Sequence, residues 1–248
     1  GYTSEQPGSN GNIWVYNDPS WPHMTVHLFP FFEQADLYDL LTVQPWLRSP
    51  TWKNSADRWP AGIQNMSISH FLCPSDGYGG KRVAIGEVRV NHPWKNTAKL
   101  FKSNYLPVFT GRNMGDVVYE LANPSAKLAA DGTPLRTAVF GTNRGARIRD
   151  INDGTSNTLI IVEYLTGTTR DLRGWFWGMS PGFSHVYTEL TPNSSSPDVV
   201  SSVTCRDETN QPEMNLPCVV GGVTTAGSRS RHPGGVNVVL CDGSVHFI

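Results

Sequence analysis

Apolar and polar residues alternate along this chain only over short runs, a pattern that predicts many brief strands joined by loops rather than long helices. The clearest helical stretch lies between Met24 and Leu41, where Leu28, Phe31, Phe32, Ala35, Leu37, Tyr38 and Leu41 recur close to one face. Pro30 fits an early-turn position, so the spacing predicts a helix over about Pro30 to Leu41. Gly1 to Pro22 reads as an irregular entry with a short strand around Ile13 and Val15, and Thr42 to Gly62 as loop. Ser69 to Cys73 reads as a strand ended by the turn residues Pro74-Ser75-Asp76-Gly77, and Ser103 to Phe109 as another strand. Gly79 to Lys99 reads as a loop insertion, and so does Thr110 to Arg136, which has room for a short helix.

The second half is more regular. Asn152-Asp153-Gly154 predicts a tight turn before the β-branched run Thr158 to Glu163, which reads as a buried strand. Trp175 to Gly178 reads as an aromatic strand, and Ser180 to Thr225 as a long loop-rich excursion. Asp242-Gly243, flanked by Val236 to Cys241 and Ser244 to Ile248, predicts a two-residue type I′ hairpin. In that register Leu240 opposes Val245 and Val238 opposes Phe247, so Val236, Val238, Leu240, Val245 and Phe247 share one apolar face. No repeat period is present.

Composition agrees with a loop-rich α+β chain dominated by short strands. The 248 residues include 24 glycines and 18 prolines, and only 17% are charged. This length permits one domain with its own core, and we read residues 1–248 as a single domain with one main N-terminal helix, long loops and a C-terminal β-hairpin. Twenty basic against twenty-one acidic side chains leave no global field to attract nucleic acid. No run approaches the roughly 18 apolar residues that span a bilayer. The chain starts without Met, from which we expect a missing segment upstream, lost by processing or by choice of fragment.

Cysteine usage adds a compartment. Cys73, Cys205, Cys218 and Cys241 form no CxxC pair and lie at no zinc-finger spacing. Cys205 and Cys218 bracket the aperiodic polar loop Arg206 to Pro217, where a disulfide would supply the order that packing does not. In a reducing compartment both thiols would instead be free. Cys73 and Cys241 have no assigned pairing, and Cys241 falls on the hairpin face opposite the apolar one.

His232 stands nine residues before Asp242-Gly243, in the stretch Arg229-Ser230-Arg231-His232-Pro233-Gly234-Gly235. This arrangement resembles the H-X9-DG motif of the DUF1559, or prepilin-processing-associated, family. Four further stretches resemble the same family in the same order: His27 to Gln34, Phe71-Leu72-Cys73-Pro74-Ser75-Asp76, Ser103-Asn104-Tyr105, and Ile148 to Thr158 with Asp150, Asp153 and Gly154. The resemblance implies a pilin-like globular domain outside the cytoplasmic membrane, anchored by an apolar N-terminal helix that this chain lacks. It implies other pilin-like subunits or cell-envelope components as partners, with the membrane reached only through that helix.

Each candidate site carries a functional and a structural reading. His232 invites a catalytic or metal role, but without an adjacent Asp and Ser it makes no triad, and we read it as a loop-bonding residue. Gly234 and Gly235 then supply positive φ at the hairpin entry. No nucleophile elbow, zincin or P-loop pattern is present, so no catalytic residue is assigned and we expect no enzyme. Asp150, Asn152 and Asp153 crowd oxygen donors as calcium loops do, and the family's likeness to secretion subunits makes calcium the cofactor to consider. Gly154 nonetheless falls one place early for an EF-hand, and the twelfth position holds no Glu, so a plain turn is the preferred reading. Trp46, Trp52, Trp59 and Trp94 lie in loop-like contexts where flat rings stack on sugars, which makes a polysaccharide- or solute-binding surface module the alternative to a pseudopilin-like subunit or tip protein. The structural reading of these rings is core cover beneath folded-back loops.

Overall fold

The protein is described here from a computed structural model. It describes residues 3–7, 13–17, 24–42, 68–77, 83–84, 99–100, 102–123, 125–141, 144–167, 171–175, 180–202 and 204–248. The strands are β1 (Thr3–Pro7), β2 (Ile13–Asn17), β3 (Val83–Ala84), β4 (Lys99–Leu100), β5 (Tyr105–Pro107), β6 (Phe140–Gly141), β7 (Arg144–Gly145), β8 (Leu159–Glu163), β9 (Asp198–Val200), β10 (Cys218–Val220), β11 (Asn237–Leu240) and β12 (Val245–Phe247). Among the described residues two α-helices accompany them, α1 (Ala35–Thr42) and α2 (Met114–Ala122). The expected mixed α+β class, mostly β, is what the chain adopts.

The central sheet runs in the order β12-β11-β8-β5, all antiparallel. Alternation along β8 explains its two faces. Val162 pairs with Leu106 on one side and Val238 on the other, and all three point into a buried core with Val108, Tyr164, Val186, Ala226 and Val236. Glu163, the next residue, pairs with Tyr105 and so leaves from the opposite face.

The predicted helix begins later than its periodicity suggests. Met24–Phe32 forms a 3-10 helix, Glu33 takes φ 59°, and α1 starts at Ala35. The break lets Phe29 and Phe32 pack on Phe71, with ring centroids 6.2 and 5.3 Å away. Ser69–Phe71 is accordingly a 3-10 turn, not a strand. Thr110 to Arg136 holds α2, capped by Asn113, whose side chain accepts from the Asp116 amide. Of the expected aromatic strand only Trp175 is described, in a single bridge to Lys102.

The excursion from Ser180 to Thr225 contains the parallel pair β9 and β10. The expected disulfide joins Cys205 to Cys218, and both pack with Val200. Buried charge organises this region. Arg229 Nε lies 3.1 Å from both Asp198 oxygens, the Tyr164 hydroxyl donates to Asp198 at 2.7 Å, and Arg173 reaches the same carboxylate at 3.7 Å while pairing with Asp171 at 2.6 Å. The guanidiniums also donate to loop carbonyls: Arg173 to Thr209 and Leu216, Arg229 to Ser194 and Ser196.

The C-terminal hairpin forms in a different register from the expected one. Val239 pairs with Val245 and Asn237 with Phe247. Gly243 donates to the Leu240 carbonyl and takes φ 85°, which makes Cys241-Asp242-Gly243 a three-residue loop with a bulge-type glycine. That extra residue turns every β12 side chain over. Val238 stays buried, whereas Val245, Phe247 and Ile248 are 67%, 54% and 48% exposed. Gly235 also differs from expectation: Gly234 carries the positive φ, while a Cβ on Gly235 would stand 2.1 Å from the Ile248 carbonyl oxygen.

Two outcomes follow for unfolding experiments. Gly235→Ala forces the hairpin apart and lowers stability by about 2–4 kcal/mol, whereas Phe247→Ala, acting on a half-exposed ring, costs no more than about 1 kcal/mol. Denaturant melts of both variants test this, and a larger loss for Phe247→Ala contradicts the observed register. The second outcome concerns Lys102, whose buried amine donates to the carbonyls of Gly167 and Asp171. Burial lowers its pKa to about 8 against the attraction of Asp171. The unfolded chain therefore holds this proton over a range in which the folded chain has released it, so stability rises as pH increases from about 8 towards 10.5. Lys102→Met removes that rise in urea melts across the window. An unchanged slope refutes the assignment.

Candidate functional site

Above the polar face of β8, three side chains from distant parts of the sequence meet. Glu163 leaves the end of β8, Cys73 follows the Ser69–Phe71 turn, and His232 enters from the loop before β11. His232 Nε2 lies 3.2 Å from Glu163 Oε1 and 3.5 Å from Cys73 Sγ. All three donor atoms fall within 4.8 Å of one another, the one such group of three or more His, Cys, Asp or Glu side chains among the described residues. Glu163 is 1% exposed and Cys73 4%, while the His232 side chain is 28% exposed, so the group opens to solvent on the imidazole side.

Each member is held by its own scaffold. Asn104 pins the cysteine turn: its side-chain oxygen accepts from the Cys73 amide at 3.0 Å and its own amide donates to the Phe71 carbonyl. Its side-chain nitrogen donates to Tyr164 O and to buried Asp76, whose carboxylate also accepts from Thr166 N and Oγ1. Glu163 Oε2 accepts from the Asn237 amide at 3.0 Å and its side-chain nitrogen at 2.9 Å, leaving Oε1 to face His232. The Arg229 amide donates to the Glu163 carbonyl. Three residues on, the His232 amide donates to Ser230 Oγ, which donates to Gly235 O. Asn193, itself at φ 54°, accepts from Ser230 N and donates to Gly235 O. Phe247 sets its ring edge-on to the imidazole, 6.2 Å between centroids.

Burial raises the pKa of the Cys73 thiol, and a hydrogen bond with Glu163 adds to the shift, while the backbone and hydroxyl of Ser75 act against it. Tyr105, beside both, is pushed up to about 12 by burial and then by the charges of Cys73 and Glu163. A catalytic thiol needs the opposite shift. Moreover, thiol and carboxylate approach the same ring nitrogen, whereas an acid–imidazole–nucleophile relay places them on opposite nitrogens. The arrangement is a convergence of donors on one point.

His232 does bond its own loop, through its amide to Ser230 Oγ, and its imidazole in addition meets two buried partners that the loop-bonding reading did not name. Separations of 69 and 159 residues to Glu163 and Cys73 leave no local spacing to read. The one available signal was that Cys73 and His232 both sit in the stretches carrying the family resemblance. Asp242 and Gly243 shape the turn: Asp242 Oδ1 accepts from Ser244 N and Oγ, which lowers its pKa. Asp150, Asn152 and Asp153 are exposed; Asp150 lies 3.8 Å from Arg149. Gly154 takes φ 86°, with Asn157 donating to the Asp153 carbonyl and Thr158 to that of Gly154. Cys241 is a free, partly buried thiol. Trp46, Trp52, Trp59 and Trp94 lie outside the described residues.

A family model described as "Protein of unknown function (DUF1559)" matches residues 2–248. No curated protein and no solved structure matches the chain significantly.

The like-charge effect on Cys73 is measurable. In Cys241→Ser protein kept in chelator, Cys73 alkylates slowly at neutral pH. Glu163→Gln lowers the pH at which alkylation reaches half its maximum rate. A profile that does not move shows that the carboxylate does not act on the thiol.

Proposed function

The chain belongs to the DUF1559 family, a description that names no activity, and we propose that it is a non-enzymatic structural and interaction domain of the bacterial cell surface, a pseudopilin-like subunit or tip protein. The observation that carries this reading is the apolar edge strand β12. Among the described residues it lies at the margin of the central sheet, paired with β11 on one side only and with Val245, Phe247 and Ile248 exposed, and a strand with one open edge is of the kind that joins chains by edge pairing. Val219, Val220 and Val223 are further exposed apolar residues. The Cys205–Cys218 disulfide supports an extracytoplasmic location, since such bonds persist in oxidising compartments. No described helix is long and apolar enough to cross a membrane, so anchoring in this proposal rests on the family's N-terminal helix.

Immunogold electron microscopy of the full-length protein in its host, beside co-purification from detergent extracts, tests the reading. The wild type localises to an envelope assembly. Val245→Lys with Phe247→Lys, placed on exposed positions, leaves the melting temperature within a few degrees but releases the protein from its partners. Full-length protein that remains a dispersed monomer and never reaches an envelope assembly overturns the proposal.

A further inference from the structure

We infer that Cys73, Glu163 and His232 form a binding site for a single divalent transition-metal ion of the zinc class. Thiolate, imidazole and carboxylate are the three ligand types that zinc takes from proteins. Bond lengths of ~2.3 Å to sulfur and ~2.0 Å to nitrogen and oxygen put tetrahedral ligands ~3.5 Å (N to S) and ~3.3 Å (N to O) apart. The observed separations from His232 Nε2 are 3.5 Å to Cys73 Sγ and 3.2 Å to Glu163 Oε1. Two of the three donor separations thus already match edge lengths of a coordination tetrahedron, and the third, thiol sulfur to carboxylate oxygen, lies within 4.8 Å.

Three further features match what a metal requires. The first is charge. A dication bound by one thiolate and one carboxylate gives a neutral centre, which removes the cost of keeping two acidic groups side by side at 4% and 1% exposure. The second is the outer shell: Glu163 is oriented by two donors from Asn237 on its far oxygen, and the Cys73 backbone is fixed by Asn104. The third is access. The opening beside His232 gives the ion an entry path and leaves the fourth position to water. A calcium site is ruled out here by the ligands, because calcium takes six to eight oxygens and Cys73 offers sulfur. This inference stands independently of the cell-surface reading above.

The test uses the intact chain with its disulfide, stripped by chelator and dialysed. Zinc titrated by calorimetry binds at one equivalent per chain and raises the melting temperature. Cobalt(II) gives a thiolate-to-metal charge-transfer band with the visible bands of a four-coordinate ion. Cys73→Ser abolishes the charge-transfer band, whereas Cys241→Ser, which alters the other free thiol, keeps it. His232→Ala weakens zinc binding by more than about 100-fold, and Asn237→Ala, which disturbs only the support of Glu163, by about 10–100-fold with the band retained. Circular dichroism establishes that each variant is folded, and the wild-type titrations decide the matter should Cys73→Ser not fold. The inference is overturned if folded wild-type protein shows neither the cobalt charge-transfer band nor stoichiometric zinc binding, or if the band follows Cys241.

Discussion

The buried carboxylate of Asp198 is the point on which the loop-rich half of this protein turns. Two guanidiniums, Arg173 and Arg229, lie around it with the Tyr164 hydroxyl, all out of contact with solvent. Removing such groups from water costs several kcal/mol each, and the cost is offset only where every charge is paired and its hydrogen-bond donors are used. Here they are used. The arginines pair with Asp171 and Asp198 and spend their remaining donors on carbonyls of Ser194, Ser196, Thr209 and Leu216. A region with few strands and little apolar periodicity thereby acquires fixed backbone positions.

That network also aims the site. Arg229, held by Asp198, donates through its amide to the Glu163 carbonyl, so the loop that follows passes directly over the end of β8. His232 comes three residues later, within reach of the Glu163 carboxylate. On the other flank, Asp76 and Asn104 form a second buried polar cluster that fixes the turn carrying Cys73 against the same strands. Val162 faces the core and Glu163 the site, one residue apart, because β8 is a strand. Packing and candidate chemistry are thus the two faces of one short sheet.

The sequence made the local features readable and hid the distant ones. The β-branched run Thr158 to Glu163 forms a strand over Leu159–Glu163, partly exposed up to Ile161 and buried only at Val162 and Glu163, while the tight turn at Gly154 and the disulfide across an aperiodic loop form as expected; each depends on neighbouring residues. Asp242-Gly243 correctly marked a hairpin, but the two-residue and three-residue loops share that dipeptide, and only the pairing of Val239 with Val245 separates them. The helix from Pro30 was displaced by a tertiary demand, the tilted and edge-on packing of Phe29 and Phe32 against Phe71, which no periodicity records. The partners of His232 were invisible for the same reason, since they arrive through folding of segments far apart in the chain.

The two kinds of tie in this protein divide the work of ordering its loops. Cys205 and Cys218 are separated by 13 residues, so their covalent bond restrains a short segment and removes a modest amount of chain entropy. The contact of His232 with Cys73 spans 159 residues, and that of His232 with Glu163 spans 69. Closing loops of that length costs more entropy, although the increase is only logarithmic, and because these contacts, unlike the disulfide, are absent from the unfolded chain, a tie at this position orders the segments by offsetting that cost on folding. It does so only as strongly as its weakest link. A neutral thiol beside a carboxylate supplies a weak hydrogen bond, whereas coordination of one ion by all three side chains joins the 73, 163 and 232 segments through bonds whose free energy becomes folding free energy. The geometry at the end of β8 places such a junction where three segments distant in sequence meet.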